Sequence, residues 1–225
     1  MKYCKNSASF HSKSVFLIML LFDFHHHHPK PFGIYNPEIH ESPTNFPFSA
    51  GIHPKDIDEN IELYFEKLKK DSRSEFCTAV GECGLDSFVS ADEKIQEDVF
   101  QRQIFWANEI RKPVIIHCVR KFEKLPKFIK TAEVPMIIHG FNKKKTIAEE
   151  MLKHGFYLSF GKATLRNVSL QQIVKDFPLE KMFLETDDDD FEIIELYRKT
   201  SELKGISVEN LHEQILKNFE TITKI

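Results

Sequence analysis

Short apolar runs alternate along the chain with longer stretches in which apolar residues recur every three or four positions. The short runs are typical of buried parallel strands and the longer stretches of amphipathic helices. Strands are predicted at residues 16–24, 47–52, 76–81, 113–117, 135–139, 156–160 and 182–185. Helices are predicted at residues 57–70, 93–109, 146–154, 170–177, 191–203 and 208–219. The alternation predicts an α/β fold with repeated β/α units around a parallel sheet.

Turn-forming and capping residues mark the ends of these elements. Gly155 is expected to end the helix before it, and Asp189 or Asp190 to cap the helix that begins at Phe191. The segment 29–47 is rich in Pro, Asn, Ser and Gly, and is expected to form a loop over the mouth of a barrel.

The length of 225 residues, 41% of them hydrophobic, suits one substantial core rather than two. We predict a single domain over residues 19–225. Residues 1–18 are interpreted as an N-terminal extension, because Met19 directly precedes the apolar run that leads into Asp23. A basic start followed by a short apolar run also fits a secretory signal, but no small-residue cleavage site follows it.

Charge and cysteine content narrow the range of binding partners and cellular compartments that fit this chain. The formal net charge of −3 gives no global attraction to nucleic acid or anionic membranes, so any nucleic-acid contact must be local. The four cysteines form no CxxC pair, which favours a reducing compartment and hence the cytoplasm. No run approaches the roughly 20 apolar residues that span a bilayer. We expect a monomer without a membrane segment.

Metal-ligating residue types lie at the carboxyl ends of five predicted strands. The residues are Asp23, His25 and His27 at the end of the first strand, then Glu82, His117, His139, and finally Glu185 with Asp187. A parallel barrel gathers its active site at the carboxyl ends of its strands. His25 and His27 are two positions apart, so they project to one side and can hold one ion. Histidine and carboxylate together favour zinc, manganese, iron or a similar divalent ion.

The order and context of these residues resemble the TatD family of metal-dependent deoxyribonucleases, which have amidohydrolase-like barrels. The resemblance covers roughly residues 19–187. It rests on Asp23-Phe24-His25-His26-His27, Gly51-Ile52-His53-Pro54, Gly81-Glu82-Cys83-Gly84-Leu85-Asp86, a helix at 100–106, residues 113–120, His139 and Leu184-Glu185-Thr186-Asp187. Each motif alone is weak evidence for the family, and the resemblance rests on their occurring together in the same order along the chain.

The resemblance implies a TIM-barrel-like (β/α) fold and a site for two divalent ions, such as zinc, manganese or magnesium. One ion would be held by His25, His27, Glu82 and Asp187, and the other by Glu82, His117 and His139. Glu82 would bridge the ions, and Asp187 would accept a proton from the attacking water. His53 would contact phosphate or support the ligands, Arg120 would steer an anionic group, and Asp23 would orient a ligating ring from behind.

Structural interpretations compete at several of these positions. His25 to His28 could be a polyhistidine remnant, and His117 or His139 alone could be an ordinary core histidine. Asp188 to Asp190 fit a solvated acidic turn at a helix start. Cys83 and Cys118 are expected to pack in the core, because strand alternation turns them away from Glu82 and His117. The lysines 143–145 could touch a phosphate backbone or be solvated.

Three departures from the family pattern limit what the resemblance implies. The segment 29–47 is too short for the helix and second strand expected there, so only seven strands are predicted. Gly140-Phe141-Asn142-Lys143 replaces the usual Cys-Phe-Ser-Gly, and Asp188 replaces a proline. The leading hypothesis is therefore two-metal hydrolysis of phosphodiester bonds in DNA. The alternatives are hydrolysis of a small ester, amide or phosphoester, and a metal-binding interaction protein without turnover.

Overall fold

Eight parallel strands form one sheet in the order in which they occur in the chain, in a computed structural model that describes residues 20–224. The strands are β1 (Asp23–His26), β2 (Gly33–Tyr35), β3 (Phe48–Ala50), β4 (Cys77–Asp86), β5 (Val114–Val119), β6 (Met136–Ile138), β7 (Tyr157–Phe160) and β8 (Met182–Leu184). Helices lie between most of them. This confirms the predicted TIM-barrel-like class.

The sheet closes on itself where β1 meets the chain that leaves β8. The backbone N–H of Asp187 donates to the carbonyl oxygen of His25 at 2.9 Å, and the N–H of His27 donates to the carbonyl oxygen of Asp187 at 3.2 Å. The two hydrogen bonds form a parallel bridge between His26 and Asp187. Closure therefore takes place at the rim that carries the predicted ligands, and it sets His25 and His27 beside Asp187.

The second strand corrects the prediction of seven. Gly33–Tyr35 is only three residues long and lies within the segment that we expected to be a loop. It pairs with β1 on one side and β3 on the other. A Cβ at Gly33 would lie 1.9 Å from the carbonyl oxygen of Asp23, so only glycine permits this approach. The helix that the resemblance implies after this strand does not occur, because residues 36–47 form a loop.

Seven α-helices occur in the described chain. They are α1 (Ile61–Asp71), α2 (Glu93–Ile110), α3 (Leu125–Phe128), α4 (Lys145–Lys153), α5 (Val168–Asp176), α6 (Ile193–Lys204) and α7 (Val208–Thr223). Gly155 follows α4 with φ 91°, as expected of a residue that ends a helix. The prediction that Asp189 or Asp190 caps α6 is wrong, because the cap is Glu192 and it makes no side-chain hydrogen bond.

The core lies between the strands and the surrounding helices, as the apolar patterning predicted. Phe24 of β1 stacks on Phe183 of β8 with ring centroids 4.1 Å apart, and both side chains are fully buried. Burying one such side chain contributes about 1.5–3 kcal/mol. Cys83 and Cys118 are buried thiols, so the packing role expected for them agrees with the structure.

Two predictions at the amino terminus have different outcomes. The first strand begins at Asp23 rather than at residue 16, so His25 and His26 belong to the strand itself instead of following it. The proposed extension, residues 1–18, lies outside the described residues. Within residues 20–224, no helix combines the length and the apolar character needed to cross a bilayer.

Candidate metal centre and active site

Six predicted ligand residues converge at the carboxyl rim of the barrel. They are His25, His27, Glu82, His117, His139 and Asp187, which lie on or directly after β1, β4, β5, β6 and β8. The parallel arrangement of the strands explains the convergence, because every strand ends at the same rim. Residues up to 162 positions apart in the sequence (187 − 25) therefore form one cluster.

The first group of ligand atoms belongs to His25, His27 and Asp187. Oδ1 of Asp187 lies 3.7 Å from Nε2 of His25 and 3.4 Å from Nε2 of His27. Oε2 of Glu82 approaches the same two nitrogens, at 3.4 and 3.5 Å. Two imidazoles and two carboxylates thus surround one small volume.

The second group lies on the other side of Glu82. Its Oε1 is 2.6 Å from Nδ1 of His117 and 2.7 Å from Nε2 of His139. Those two nitrogens are 3.3 Å apart. Glu82 therefore directs one oxygen to each group, which is the arrangement expected of a carboxylate that bridges two cations.

The donor set fits divalent cations. Imidazole nitrogens and carboxylate oxygens can each donate an electron pair to an ion, and they face one another in both groups of ligand atoms. Within residues 20–224, neither ring nitrogen of the fully buried His25 has a hydrogen-bond partner. An unpaired buried polar atom is costly, and a bound ion would remove that cost. Mixed histidine and carboxylate ligands suit zinc, manganese or iron.

Electrostatics hold both site carboxylates in the ionised form. Burial alone would raise the pKa of Glu82, but the positive charge of His139 and close contacts with the rings of His117, His139 and His25 hold it well below its usual value. Burial likewise opposes ionisation of Asp187, and its contacts with His27, His139 and His25 nevertheless lower its pKa to about 2. Both side chains therefore offer charged oxygens at neutral pH.

The histidines show the complementary shifts. Burial lowers the pKa of His27, but hydrogen bonds to Asp187 and Glu82 outweigh it and raise that pKa to about 9. Burial also disfavours the charged form of His139, yet Glu82 and Glu185 raise its pKa well above the usual value. Without an ion, the excess negative charge of the carboxylates draws protons onto these rings. A divalent ion would supply the same positive charge in place of those protons.

His53 lies beside the second group but differs from the ligands in its hydrogen bonding. Its Nε2 is 3.5 Å from Oε1 of Glu82. Its Nδ1 accepts a hydrogen bond from the backbone N–H of Lys55 at 2.9 Å. Because Nδ1 is the acceptor, the proton of the neutral ring is on Nε2, and that nitrogen has no free electron pair for a metal. This favours a substrate-contacting role over ligation.

Asp86 was present in the sequence motif, but no role was predicted for it. Its Oδ2 lies 3.0 Å from Nε2 of His117. A carboxylate in this position accepts the Nε2 proton and leaves Nδ1 of His117 free to face Glu82 and His139. Asp86 therefore fixes the tautomer and the orientation of this histidine. The sequence signal that could have identified Asp86 is its position in the Gly81 to Asp86 motif, two residues after Gly84.

Asn36 was missed by the sequence reasoning. It follows β2, and its Nδ2 donates to Oε2 of Glu82 at 3.3 Å. Its Oδ1 accepts from the backbone N–H of Glu82 at 3.1 Å and from the hydroxyl of Ser49 at 3.0 Å. The amide thus fixes the Glu82 carboxylate from the side of β2. No strand was predicted there, so nothing placed Asn36 at the rim.

Glu185 is a further carboxylate without a predicted role. It is fully buried. Its Oε1 accepts a hydrogen bond from the backbone N–H of Gly140 and lies 3.6 Å from Nδ1 of His139. Its Oε2 has no hydrogen-bond partner among the described residues. Glu185 therefore faces the side of His139 opposite Glu82, where it can orient the ring.

Asp23 has partners other than the predicted ones. Its carboxylate accepts hydrogen bonds from the backbone N–H of Thr186 at 2.9 Å and from the Thr186 hydroxyl at 2.6 Å, and it pairs with Lys30 at 2.7 Å. Within the described chain it makes no hydrogen bond to the ring of His25 or His27. The prediction that Asp23 orients a ligating ring is therefore corrected. It anchors the residue before Asp187 instead.

Arg120 and the lysines lie outside the ligand cluster. Arg120 is exposed at the rim, directly after β5, and its guanidinium lies over the ring of Phe88. Lys143 is partly buried near Phe122, while Lys144 and Lys145 are exposed at the start of α4, where Lys145 pairs with Asp176 at 2.9 Å. Asp188 to Asp190 are exposed, as expected of a solvated turn.

Comparison with known proteins gives one family. Residues 36–224 match the family described as TatD related DNase. The uncharacterized metal-dependent hydrolase YabD of Bacillus subtilis (strain 168) is 35% identical over 145 residues, which are 62% of this chain and 57% of YabD. The 3'-5' ssDNA/RNA exonuclease TatD of Klebsiella pneumoniae (strain 342) is 28% identical over 148 residues, with coverage of 62% and 56%. The chain matches less than two thirds of either relative's length.

A solved structure shows the same fold. The crystal structure of YjjV, a TatD homolog from Escherichia coli K12, matches with a TM-score of 0.76 and 20% sequence identity. The match covers 92% of this chain and 100% of that one.

Proposed function

Because this chain belongs to the TatD related DNase family, we propose that it is a metal-dependent hydrolase that cleaves phosphodiester bonds of DNA or of other single strands. The observation that carries the proposal is the division of the Glu82 carboxylate between two groups of ligand atoms. A site for two adjacent cations is typical of enzymes that act on phosphodiesters.

The ligand groups divide as the geometry suggests. His25, His27, Asp187 and Oε2 of Glu82 would hold one ion, and Oε1 of Glu82 with His117 and His139 would hold the other. When bound, divalent ions activate a water molecule and neutralise charge on the phosphate oxygens. Asp86, Asn36 and Glu185 keep the ligand side chains in the orientation that this requires.

Asp187 is the proton acceptor in the proposed reaction. Its side chain is 37% exposed, whereas that of Glu82 is 5% exposed, so Asp187 is the site carboxylate that solvent and substrate can reach. Hydrolysis adds the oxygen of a water molecule to phosphorus and breaks the bond from phosphorus to the leaving oxygen. Asp187 takes the proton that the attacking water loses, and a proton returns to the leaving oxygen.

His53 and Arg120 serve the substrate in this proposal. The Nε2 proton of His53 points towards the ligand cluster and can donate a hydrogen bond to a phosphate oxygen. The exposed guanidinium of Arg120 can pair with a neighbouring phosphate of the same strand. Because the overall charge is −3, this local attraction has to replace a broad basic surface.

Replacing Asp187 with Asn tests the proposed chemistry. Asp187→Asn keeps the size of the side chain and removes its capacity to accept the proton, so kcat on a single-stranded oligonucleotide should fall by about 10²- to 10⁴-fold. The matched control is Asp188→Asn, which changes the adjacent, 82% exposed carboxylate outside the ligand groups. The assay follows cleavage of a labelled oligonucleotide with manganese, magnesium or zinc.

The control variant should keep the wild-type rate. Equal rates for wild type and Asp187→Asn would contradict the assignment of Asp187, and absence of cleavage by the metal-loaded wild type would contradict the nuclease proposal. Metal content per chain is measured in parallel, so that a loss of activity can be separated from a loss of ions.

Hydrolysis of a small phosphoester is the second candidate, and one observation favours it. The cleft beside the ligand cluster is lined by His27, Asn36, His53, Lys55, Asp56 and Glu82, among others. The one lysine of that group is paired with Glu38 at 3.0 Å. Cleavage of a small phosphodiester together with inertness towards every oligonucleotide would favour this candidate.

We also propose a cytoplasmic location and a monomeric state. The three cysteines of the described chain are free and buried, as in a protein of a reducing compartment. Burial raises the pKa of Cys118 to about 12, so this thiol is unreactive. Size-exclusion chromatography with light scattering measures the oligomeric state directly.

A further inference from the structure

We infer that Phe88 and Arg120 form a stacking platform that binds the nucleobase next to the cleaved phosphodiester. This inference rests on the proposed function and specifies its substrate as a single strand with an unpaired base. Phe88 is 69% exposed, although large apolar side chains are usually buried. It lies in the turn directly after β4, the strand that carries Glu82.

Hydrogen bonds tie Phe88 to the ligand cluster. The backbone N–H of Phe88 donates to Oδ1 of Asp86 at 2.7 Å. The other oxygen of Asp86 contacts Nε2 of His117 at 3.0 Å, and Nδ1 of His117 lies 2.6 Å from Glu82. One carboxylate thus positions both a predicted metal ligand and the exposed ring. The ring is therefore held at the rim of the site rather than on a distant surface.

The neighbouring residue Ser87 fixes the same turn to β5. Its backbone N–H and its hydroxyl both donate to the carbonyl oxygen of Val119, each at 3.2 Å. Asp86 and Val119 form the last register pair between β4 and β5. The residues that follow this pair, Phe88 and Arg120, consequently emerge side by side.

Arg120 supplies a charge that no carboxylate of residues 20–224 neutralises through a salt bridge. Its guanidinium carbon lies 4.6 Å from the centroid of the Phe88 ring. Among residues 20–224 it forms no salt bridge, whereas Lys121 and Lys124, which follow it closely, both pair with Glu93. Arg120 is thus the cation of this turn that remains available to a ligand.

An aromatic face beside an unpaired guanidinium matches a nucleotide. Bases of single strands stack on aromatic rings without regard to sequence, and arginine adds cation–π attraction and a contact to phosphate. A base within a duplex is already stacked on its neighbours and cannot occupy the platform. The chemistry therefore selects a strand end or another unpaired nucleotide.

Paired substrates test this inference. One is a thymidine oligonucleotide, and the other is an oligomer of equal length whose units lack bases. Phe88→Ala should raise KM for the thymidine oligonucleotide by roughly tenfold, and it should leave cleavage of the abasic oligomer unchanged. Phe88→Trp should restore the wild-type KM, because the larger ring also stacks. The matched control is Phe105→Ala, which removes a 54% exposed ring from α2 and should change neither substrate.

Two results would overturn the platform while leaving the nuclease proposal intact. The first is an unchanged KM in Phe88→Ala for the thymidine oligonucleotide. The second is an equal loss on both oligomers, which would indicate a general disturbance of the turn. Circular dichroism and thermal unfolding of each variant identify such a disturbance.

A binding assay separates failure of the platform from failure of the proposed function. The fluorescence of a 2-aminopurine oligonucleotide should decrease when it binds to the Asp187→Asn variant. The double variant with Asp187→Asn and Phe88→Ala should show no such decrease. If the wild type cleaves neither oligomer, the nuclease proposal fails, and this assay alone decides the platform. Quenching that depends on Phe88 supports it, and quenching that is absent or independent of Phe88 overturns it.

Discussion

At the residue scale, Glu82 connects the two halves of the candidate site. One carboxylate oxygen faces His25 and His27, and the other faces His117 and His139. The amide of Asn36 donates one hydrogen bond to this carboxylate and accepts another from the backbone N–H of Glu82, which holds the residue in this position. A single side chain therefore contributes to both groups of ligand atoms, and its removal should affect both.

Glu82→Gln tests whether the carboxylate bridges two ions. The amide has one neutral oxygen in place of two charged ones, so the variant should lose both metal equivalents rather than one. Metal content per chain is measured by inductively coupled plasma mass spectrometry after gel filtration. The control is Glu109→Gln on the exposed surface of α2, which should retain the wild-type content. Retention of one full equivalent in Glu82→Gln would rule out a bridge.

At the element scale, β4 and β5 position most of the second ligand group. The strands run in parallel from Val80 and Val114 to Asp86 and Val119, with Gly84 opposite His117. A Cβ at Gly84 would lie 2.1 Å from the carbonyl oxygen of His117, and the φ angle of Gly84 is 146°. The close approach that brings His117 towards Glu82 therefore depends on a glycine at this position.

Gly84→Ala should destabilise the protein more than an ordinary glycine substitution does. The control is Gly155→Ala, which also imposes a positive φ but adds its Cβ where no atom lies within 4 Å. Strain alone should reduce the free energy of unfolding of the control by about 1–2 kcal/mol. The clash in Gly84→Ala should at least double that loss. Urea unfolding measures both losses. Equal losses would show that β4 and β5 accommodate the added methyl group without any further decrease in the free energy of unfolding.

At the scale of the whole molecule, the last two helices, α6 and α7, contact the segment that leads into β1. Nε2 of His212 in α7 accepts the backbone N–H of Phe22 at 3.3 Å, and the Tyr197 hydroxyl of α6 donates to the carbonyl oxygen of Phe22 at 2.8 Å. These contacts join segments 190 and 175 residues apart in the chain. The position of β1, and hence of His25, depends on them.

The His212 contact predicts how stability depends on pH. Burial lowers the pKa of His212 below 6.5, and the neutral ring is the form that accepts the Phe22 proton. As the pH falls below about 6.5, the unfolded chain binds a proton that the folded protein resists, so the free energy of unfolding decreases. His212→Gln keeps an acceptor without titrating, and should lose less stability than wild type between pH 7 and pH 5.

The comparison uses equal metal loading, because the site histidines titrate in every variant. His40→Gln, which replaces an exposed histidine, should follow the wild-type curve. Thermal unfolding at several pH values gives the profiles. Parallel curves for wild type and His212→Gln would show that His212 does not contribute to acid destabilisation.

The sequence by itself determined the class of fold and the types of residue at the rim. Both follow from local patterns: apolar runs of strand length predict β4 to β8, and alternation predicts that His25 and His27 share a side. Glu82, His117, His139 and Asp187 were identified from their places at strand ends. Their common rim then followed from the parallel arrangement, and the structure brings them together.

Only the tertiary structure decided which partners these residues have. β2 is three residues long, and its hydrogen bonds come from β1 and β3, so no local pattern indicates it. Asn36 was missed for the same reason. Asp23 contacts Thr186 and Lys30 rather than a histidine, and Phe88 meets Arg120, because strand ends that are separated in the sequence come together at the rim. Such contacts depend on the closure of the barrel, whereas sequence patterns report each segment's own preference.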